Sequence, residues 1–148
     1  MKILSFETVN NKSSVSLCVD GEIIDTVKDE QSNKQAEMLI TNIENILEKN
    51  NTEYKDLDLV VTSNGPGSFT SIRISLAAAQ GIAIATEKNF YAVSKMDALA
   101  YYASHKTSKK NVTVVVDAKR GQLFCQNFSL DKLEKSTPTL LNLSLIHI

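Results

Sequence analysis

A chain of 148 residues, 43% hydrophobic and 22% charged, has the length of one domain and enough apolar surface for a sizeable core. Five glycines and two prolines exclude a collagen-like or low-complexity chain, and two cysteines exclude a disulfide scaffold. Sixteen basic against seventeen acidic side chains, net −1, exclude nucleic-acid binding by bulk basicity while leaving room for a local basic patch. Met1-Lys2 leads into an apolar run broken by Glu7, unlike a signal peptide, and the weakly polar stretch Ile74 to Thr86 is too short to span a bilayer. The expected compartment is therefore the cytoplasm, with no membrane partner. Lysine outnumbers arginine 14 to 2, so a bidentate anion clamp has only Arg73 and Arg120 to draw on.

The first predicted elements are strands. Ile3–Phe6 and Ser14–Val19 flank a polar loop from Glu7 to Ser13, and Asp20-Gly21 turns the chain into Glu22–Val27. Asp-Gly between two β-rich runs is a strong hairpin signal. Ala36, Leu39, Ile40, Ile43, Ile46 and Leu47 then recur at helical spacing, with a capping box Ser32-x-x-Gln35 before them and a stop at Asn50-Asn51. Leu57–Ser63 reads as a buried strand parallel to the first, ended by Asn64-Gly65-Pro66-Gly67. A second helix runs from Ser68 to about Thr86, its Ala77–Ala79, Gly81, Ala83 and Ala85 suited to close packing. Phe90–Val93 is a short strand, Ser94 caps a third helix with Asp97 in its first turn, and Val112–Val116 and Gln122–Ser129 form a second hairpin about Lys119-Arg120-Gly121. The order βββαβαβαββ, with its βββαβα core, is that of an α/β lobe of the actin-like or ribonuclease-H-like class with a mixed sheet.

Four chemistries suit that class or its relatives, and the residues complete none of them. The loop Gly65-Pro66-Gly67 before Ser68 offers free N–H groups to a phosphate, yet it lacks the Gly-Lys-[Ser/Thr] of a P-loop and the third glycine of a dinucleotide fingerprint. A sharp turn with a Ser/Thr N-cap accounts for it better than a phosphate site does. A two-metal nuclease needs clustered carboxylates, for which Glu7, Asp58 and Asp117 are scattered candidates. An actin-like ATPase needs a Gly-rich phosphate turn, whereas Thr8 to Ser13 contains no glycine, and Lys12 alone reads as a solvated lysine. A metallopeptidase needs closely spaced histidines, and His105 and His147 lie far apart. Cys18 and Cys125 read as small core residues. No catalytic, cofactor or metal-binding residue is expected.

Several stretches together resemble a known family. Asn64 to Ser75 (NGPGSFTSIRIS) is similar to the GPGSFTGLRIG stretch of the bacterial TsaB (YeaZ) proteins. The residues carrying that likeness are Gly65, Pro66, Gly67, Ser68, Phe69, Thr70 and Arg73. Gln80–Ala83, Val93–Ala100, Val116–Phe124 (with Asp117, Arg120 and Gly121) and Ile3–Thr8 extend it over residues 1 to 129. The resemblance implies a non-catalytic subunit with the actin-like fold. It would pair with the catalytic paralogue TsaD and, with the ATPase TsaE, serve the threonylcarbamoylation of adenosine-37 in tRNAs that read codons beginning with A. It implies homodimerisation as an alternative assembly, tRNA contact only through the partners, and no cofactor. Where TsaD holds a metal with His-x-x-x-His, the similar place here has Lys95 and Leu99. The family pairs through its first two helices, which points to Gln35, Met38, Leu39, Asn42 and Ile46 on the first and Ser71, Ile72, Ser75, Ala78 and Ala79 on the second. Ile43 and Leu47 are expected in the chain's own core.

Glu7 stands where the family has Asp, and Ser71 and Ser75 where it usually has Gly. Relatives of this kind continue beyond residue 142, so residues 130–142 are expected to begin a C-terminal part. Residues 143–148 (LSLIHI) are also what the transposon end CTGTCTCTTATACACATC encodes, and are expected to be an assembly artefact on a truncated gene. Two competing functions are an independent actin-like ATP-binding enzyme, a kinase or carbamoyltransferase, and, with less support, a metallopeptidase.

Overall fold

The computed structural model describes residues 1–9, 12–29, 35–132 and 134–142. Its elements in chain order are β1 (Lys2–Val9), β2 (Lys12–Val19), β3 (Glu22–Asp29), α1 (Gln35–Lys49), β4 (Leu59–Ser63), α2 (Phe69–Thr86), β5 (Asn89–Val93), α3 (Lys95–Ser104), β6 (Asn111–Lys119), β7 (Gln122–Ser129), β8 (Glu134–Lys135) and β9 (Thr139–Asn142). They fall into two compact units, residues 1–64 with 68–93 and residues 65–67 with 94–148.

The first unit holds a five-stranded sheet in the order β3-β2-β1-β4-β5. β1, β2 and β3 pair antiparallel, and β4 and β5 run parallel to β1. This is the mixed sheet expected of the actin-like or ribonuclease-H-like class. Asp20 and Gly21, both at positive φ (51° and 91°), make the two-residue turn between β2 and β3 whose twist matches the strands it joins. Strand alternation sends Leu4, Phe6 and Thr8 of β1 and Ser13, Val15 and Leu17 of β2 to a buried face. α1 and α2 cover that face with Leu39, Ile43, Ile46, Leu47, Ala79 and Ile82, closing one apolar cluster. Fully burying one such Leu or Ile contributes about 1.5–3 kcal/mol, so this cluster holds the unit together.

Two expectations change here. Thr8 and Ser13 are not loop residues: they face each other across the β1–β2 ladder, which runs on to Val9 opposite Lys12. Their hydroxyls hid them among the polar residues of a supposed loop. Ile40 is 40% exposed and Ala36 is exposed, because the buried stripe of α1 is centred on Leu39, Ile43, Ile46 and Leu47. The helix stops as expected at Asn50, whose amide donates to Ile46 O (2.7 Å) and to Asp25 Oδ2 (3.0 Å). Lys49 Nζ reaches the same carboxylate at 2.8 Å, tying the end of α1 to β3. The Ser32 half of the proposed capping box lies outside the described residues.

The second unit holds α3 and a sheet in which β7 pairs antiparallel with β6, β8 and β9. Met96 and Ala100 of α3 pack on Val114, Val116 and Phe128. Ser94 caps α3, its Oγ accepting from Asp97 N. β8 and β9, which no sequence signal marks, place residues 134–135 and 139–142 on the same sheet as the second hairpin. Residues 143–148 lie outside the described residues.

Candidate functional site

The motif from Gly65 to Arg73 is divided between the two units. Gly65, Pro66 and Gly67 cluster with the second, where Gly65 O accepts from Lys95 N at 2.7 Å. Gly65 adopts φ 97°, a conformation a side chain would strain. Ser68 belongs to the first unit and caps α2, its Oγ accepting from Ser71 N at 3.5 Å. Phe69 and Thr70 are exposed in the first turn of the helix, and the Arg73 guanidinium lies 3.8 Å from the centroid of the Phe69 ring. Arg73 is thus engaged with an aromatic face one turn away.

The start of α2 is fastened to β1. Thr8 Oγ1 donates to Ser71 O at 2.6 Å, with Thr8 fully buried. Thr62 Oγ1 of β4 donates to Phe6 O at 2.8 Å, a second hydroxyl bridge between elements. Ser71 and Ser75, which stand where the family that the sequence resembles usually has glycine, are 3% and 1% exposed. The Ser75 hydroxyl is satisfied within the helix by Ile72 O (3.1 Å), so the substitution for glycine buries no orphaned group.

Asp117, Arg120 and Gly121 find a structural account in the β6–β7 hairpin. Arg120 (φ 53°) and Gly121 (φ 72°) form its two-residue turn, and the pairing register shifts just before it, between Asp117 and Lys119. Asp117 braces that irregularity, accepting from Lys119 N (2.7 Å) and Lys119 Nζ (3.1 Å). The backbone N–H of Lys119, and then its ammonium, hold the carboxyl below its ordinary range.

The three carboxylates considered for metal binding do not form a set. Asp58 accepts from Lys2 N at 2.7 Å, at the start of β1, whereas Glu7 lies five residues farther along that strand. At strand rise this separates them by roughly 16 Å. Among the described residues no group of three His, Cys, Asp or Glu side chains is placed to hold a metal ion. Lys95 and Leu99 lie one turn apart on α3. Both cysteines are free and half-buried.

Burial sorts the residues proposed for pairing. Leu39, Ile46 and Ala79 belong to the core of the first unit. Asn42, Ser71 and Ser75 are also buried there. None of these six presents a side chain outward; the resemblance pointed to the two helices as the pairing elements, and it did not say which side of each faces the chain's own sheet. Met38, Ile72 and Ala78 are half-buried, and Ala78 packs against the core cluster. The side chain of Gln35 lies outside the described set. The outward side of α2 is instead marked by Phe69, Arg73, Ala77, Gly81 and Ile84, none of them acidic. α2 has the length and hydropathy of a membrane span, but Ser71, Ser75, Ala79, Ile82 and Ala83 bury one side of it. That side packs against the mixed sheet of the first unit.

Residues 23–139 match the family model described as "TsaD: tRNA N6-adenosine threonylcarbamoyltransferase". The tRNA threonylcarbamoyladenosine biosynthesis protein TsaB of Buchnera aphidicola (from Acyrthosiphon pisum, strain APS) is 32% identical over 130 residues, 88% of this chain and 58% of that protein. TsaB of Escherichia coli K12 is 27% identical over 132 residues, 89% of this chain and 57% of that protein. The chain therefore spans somewhat under three-fifths of the length of these curated relatives. YeaZ from Pseudomonas aeruginosa superposes with a TM-score of 0.83 at 22% identity, over 99% of this chain and 70% of that structure, which shows a shared fold.

Proposed function

Because the chain belongs to the family of TsaB and TsaD proteins, on the TsaB (YeaZ) side, we propose that it serves tRNA threonylcarbamoyladenosine synthesis as a non-catalytic pairing subunit. The observation that carries this reading is the likeness to TsaB proteins along nearly nine-tenths of the chain. The partner is a TsaD-like catalytic subunit, with a TsaE-like ATPase joining the pair in the cytoplasm. The non-catalytic role is supported by chemistry at α3, since the ammonium of Lys95 and the alkyl chain of Leu99 are not metal ligands.

Pairing uses the outward side of α2 together with the half-buried rim between the helices. Phe69 (69% exposed) and Ile84 (73% exposed) supply apolar area, and Arg73, Ala77 and Gly81 keep that side free of acid. Small residues at Ala77 and Gly81 let a partner helix approach closely, and a Cβ built on Gly81 meets nothing within 4 Å. Thr8 fixes where this helix begins, so the motif around Ser68 acts here by positioning a docking helix.

The test is nucleoside analysis of bulk tRNA from cells depleted of their own TsaB. Expression of this chain restores the threonylcarbamoyl nucleoside if the reading is right. Folded, soluble chain that leaves the nucleoside at the depleted level would refute it.

A further inference from the structure

The near-zero net charge conceals a strong segregation. Residues 1–64 and 68–93 carry thirteen acidic and eight basic side chains (net −5), whereas residues 65–67 and 94–148 carry four acidic and eight basic (net +4). No acidic residue occurs from Ala98 to Val116, a stretch that contains Lys106, Lys109, Lys110 and His105. The same stretch exposes two aromatic rings on α3, Tyr101 at 70% and Tyr102 at 63%. Each ring has a basic neighbour one turn on. Tyr101 lies 4.5 Å from the His105 ring, centroid to centroid, and Lys106 Nζ lies 5.7 Å from the Tyr102 centroid.

We propose that the C-terminal end of α3 and the segment after it form an RNA-contact surface. Unpaired bases stack on Tyr101 and Tyr102, and phosphates sit against Lys106, Lys109 and Lys110. Cations at a helix C-terminus complement its dipole, which accounts for His105 and Lys106 without any ligand. That does not account for two adjacent tyrosines held in water, nor for the lysines beyond the helix. Flat rings interleaved with ammonium groups are the chemistry that binds single-stranded nucleic acid. Lys110 Nζ lies 3.5 Å from Asp131 Oδ2, but both side chains are exposed, so the pair is weak and a phosphate displaces the carboxylate. An anionic membrane is the poorer fit, since Leu99 is the one aliphatic side chain larger than alanine that α3 exposes. The choice of tRNA as the RNA rests on the function proposed above.

The experiment is fluorescence anisotropy of a labelled, unmodified tRNA transcript titrated with the full chain, with phosphatidylserine vesicles as a second arm. Three phosphate contacts predict a log affinity against log salt slope of about −2, or about a 20-fold loss between 50 and 200 mM NaCl. The triple variant K106Q/K109Q/K110Q flattens that slope. Tyr101→Ala and Tyr102→Ala each weaken binding about five- to 150-fold, while the Phe variants, which keep the stacking face, retain it. RNA binding that is absent at low salt, or unchanged in these variants, overturns the proposal, as does binding to the vesicles alone. Co-elution of the same variants with a TsaD-like subunit is read in parallel. Intact co-elution without RNA binding removes this surface and leaves the pairing role standing.

Discussion

Replacing Thr8 with valine isolates the bond that fastens α2 to β1. Valine keeps the shape of threonine and deletes only the hydroxyl, at a position that is 0% exposed. The lost contact is the 2.6 Å donation to Ser71 O, an oxygen that Ser75 Oγ also approaches at 3.5 Å, the outer limit of a hydrogen bond. Losing a buried hydrogen bond whose acceptor keeps other partners costs about 0.5–1.5 kcal/mol. For a chain of this size that lowers the melting temperature by roughly 1–6 °C. Urea unfolding followed by circular dichroism should show a lower midpoint with an unchanged slope. Hydrogen exchange should speed first at the N-terminal amides of α2, because the anchor is local to them. A Thr8→Val protein within about 0.5 kcal/mol of the parent, with α2 exchange unchanged, would refute the claim that this hydroxyl positions the helix.

Other consequences test separate parts of the structure. Ile43→Ala, at a fully buried core position, is expected to cost about 2–5 kcal/mol by urea denaturation. Asp25 is held below its ordinary range chiefly by Lys49 and then by Asn50. Its folded value is depressed, so its contribution is complete at neutral pH and fades as the pH falls through the carboxylate range. Asp25→Asn should therefore lower the midpoint at pH 7 and flatten its decline toward pH 3, and a parallel decline in both proteins would contradict the tie between β3 and α1. Tryptophan at three successive positions of α2 separates fold from pairing. Ala79→Trp, in the core, should destabilise the chain by more than about 3 kcal/mol, a large overpacking, and Ala78→Trp should perturb it less. Ala77→Trp should leave the melting curve in place and weaken only the complex, both read by thermal melting alongside co-elution.

The hairpins were legible in the sequence because their causes are local. Asp20-Gly21 and Arg120-Gly121 announce left-handed turns between β-rich runs, and the structure gives both pairs positive φ. The helix stop at Asn50 and the caps at Ser68 and Ser94 were legible for the same reason. Thr8 and Ser13 were not, since a polar residue paired across a ladder looks the same in sequence as one in a loop. Which side of α1 faces the sheet was legible only in part: Ile43 and Leu47 were expected in the core and are buried there, whereas Leu39 and Ile46 of the same buried stripe were assigned to a partner. β8 is two residues long and β9 four, too short to show alternation. The charge segregation escaped because it appears only once the chain is divided at Val93–Ser94, a boundary with no proline, glycine or linker composition to mark it.

Pairing with a TsaD-like subunit is the claim on which the functional account depends. Size-exclusion chromatography of this chain co-expressed with that subunit should give a stoichiometric complex that Ala77→Trp weakens. Separate elution of two folded proteins at micromolar concentration would contradict it.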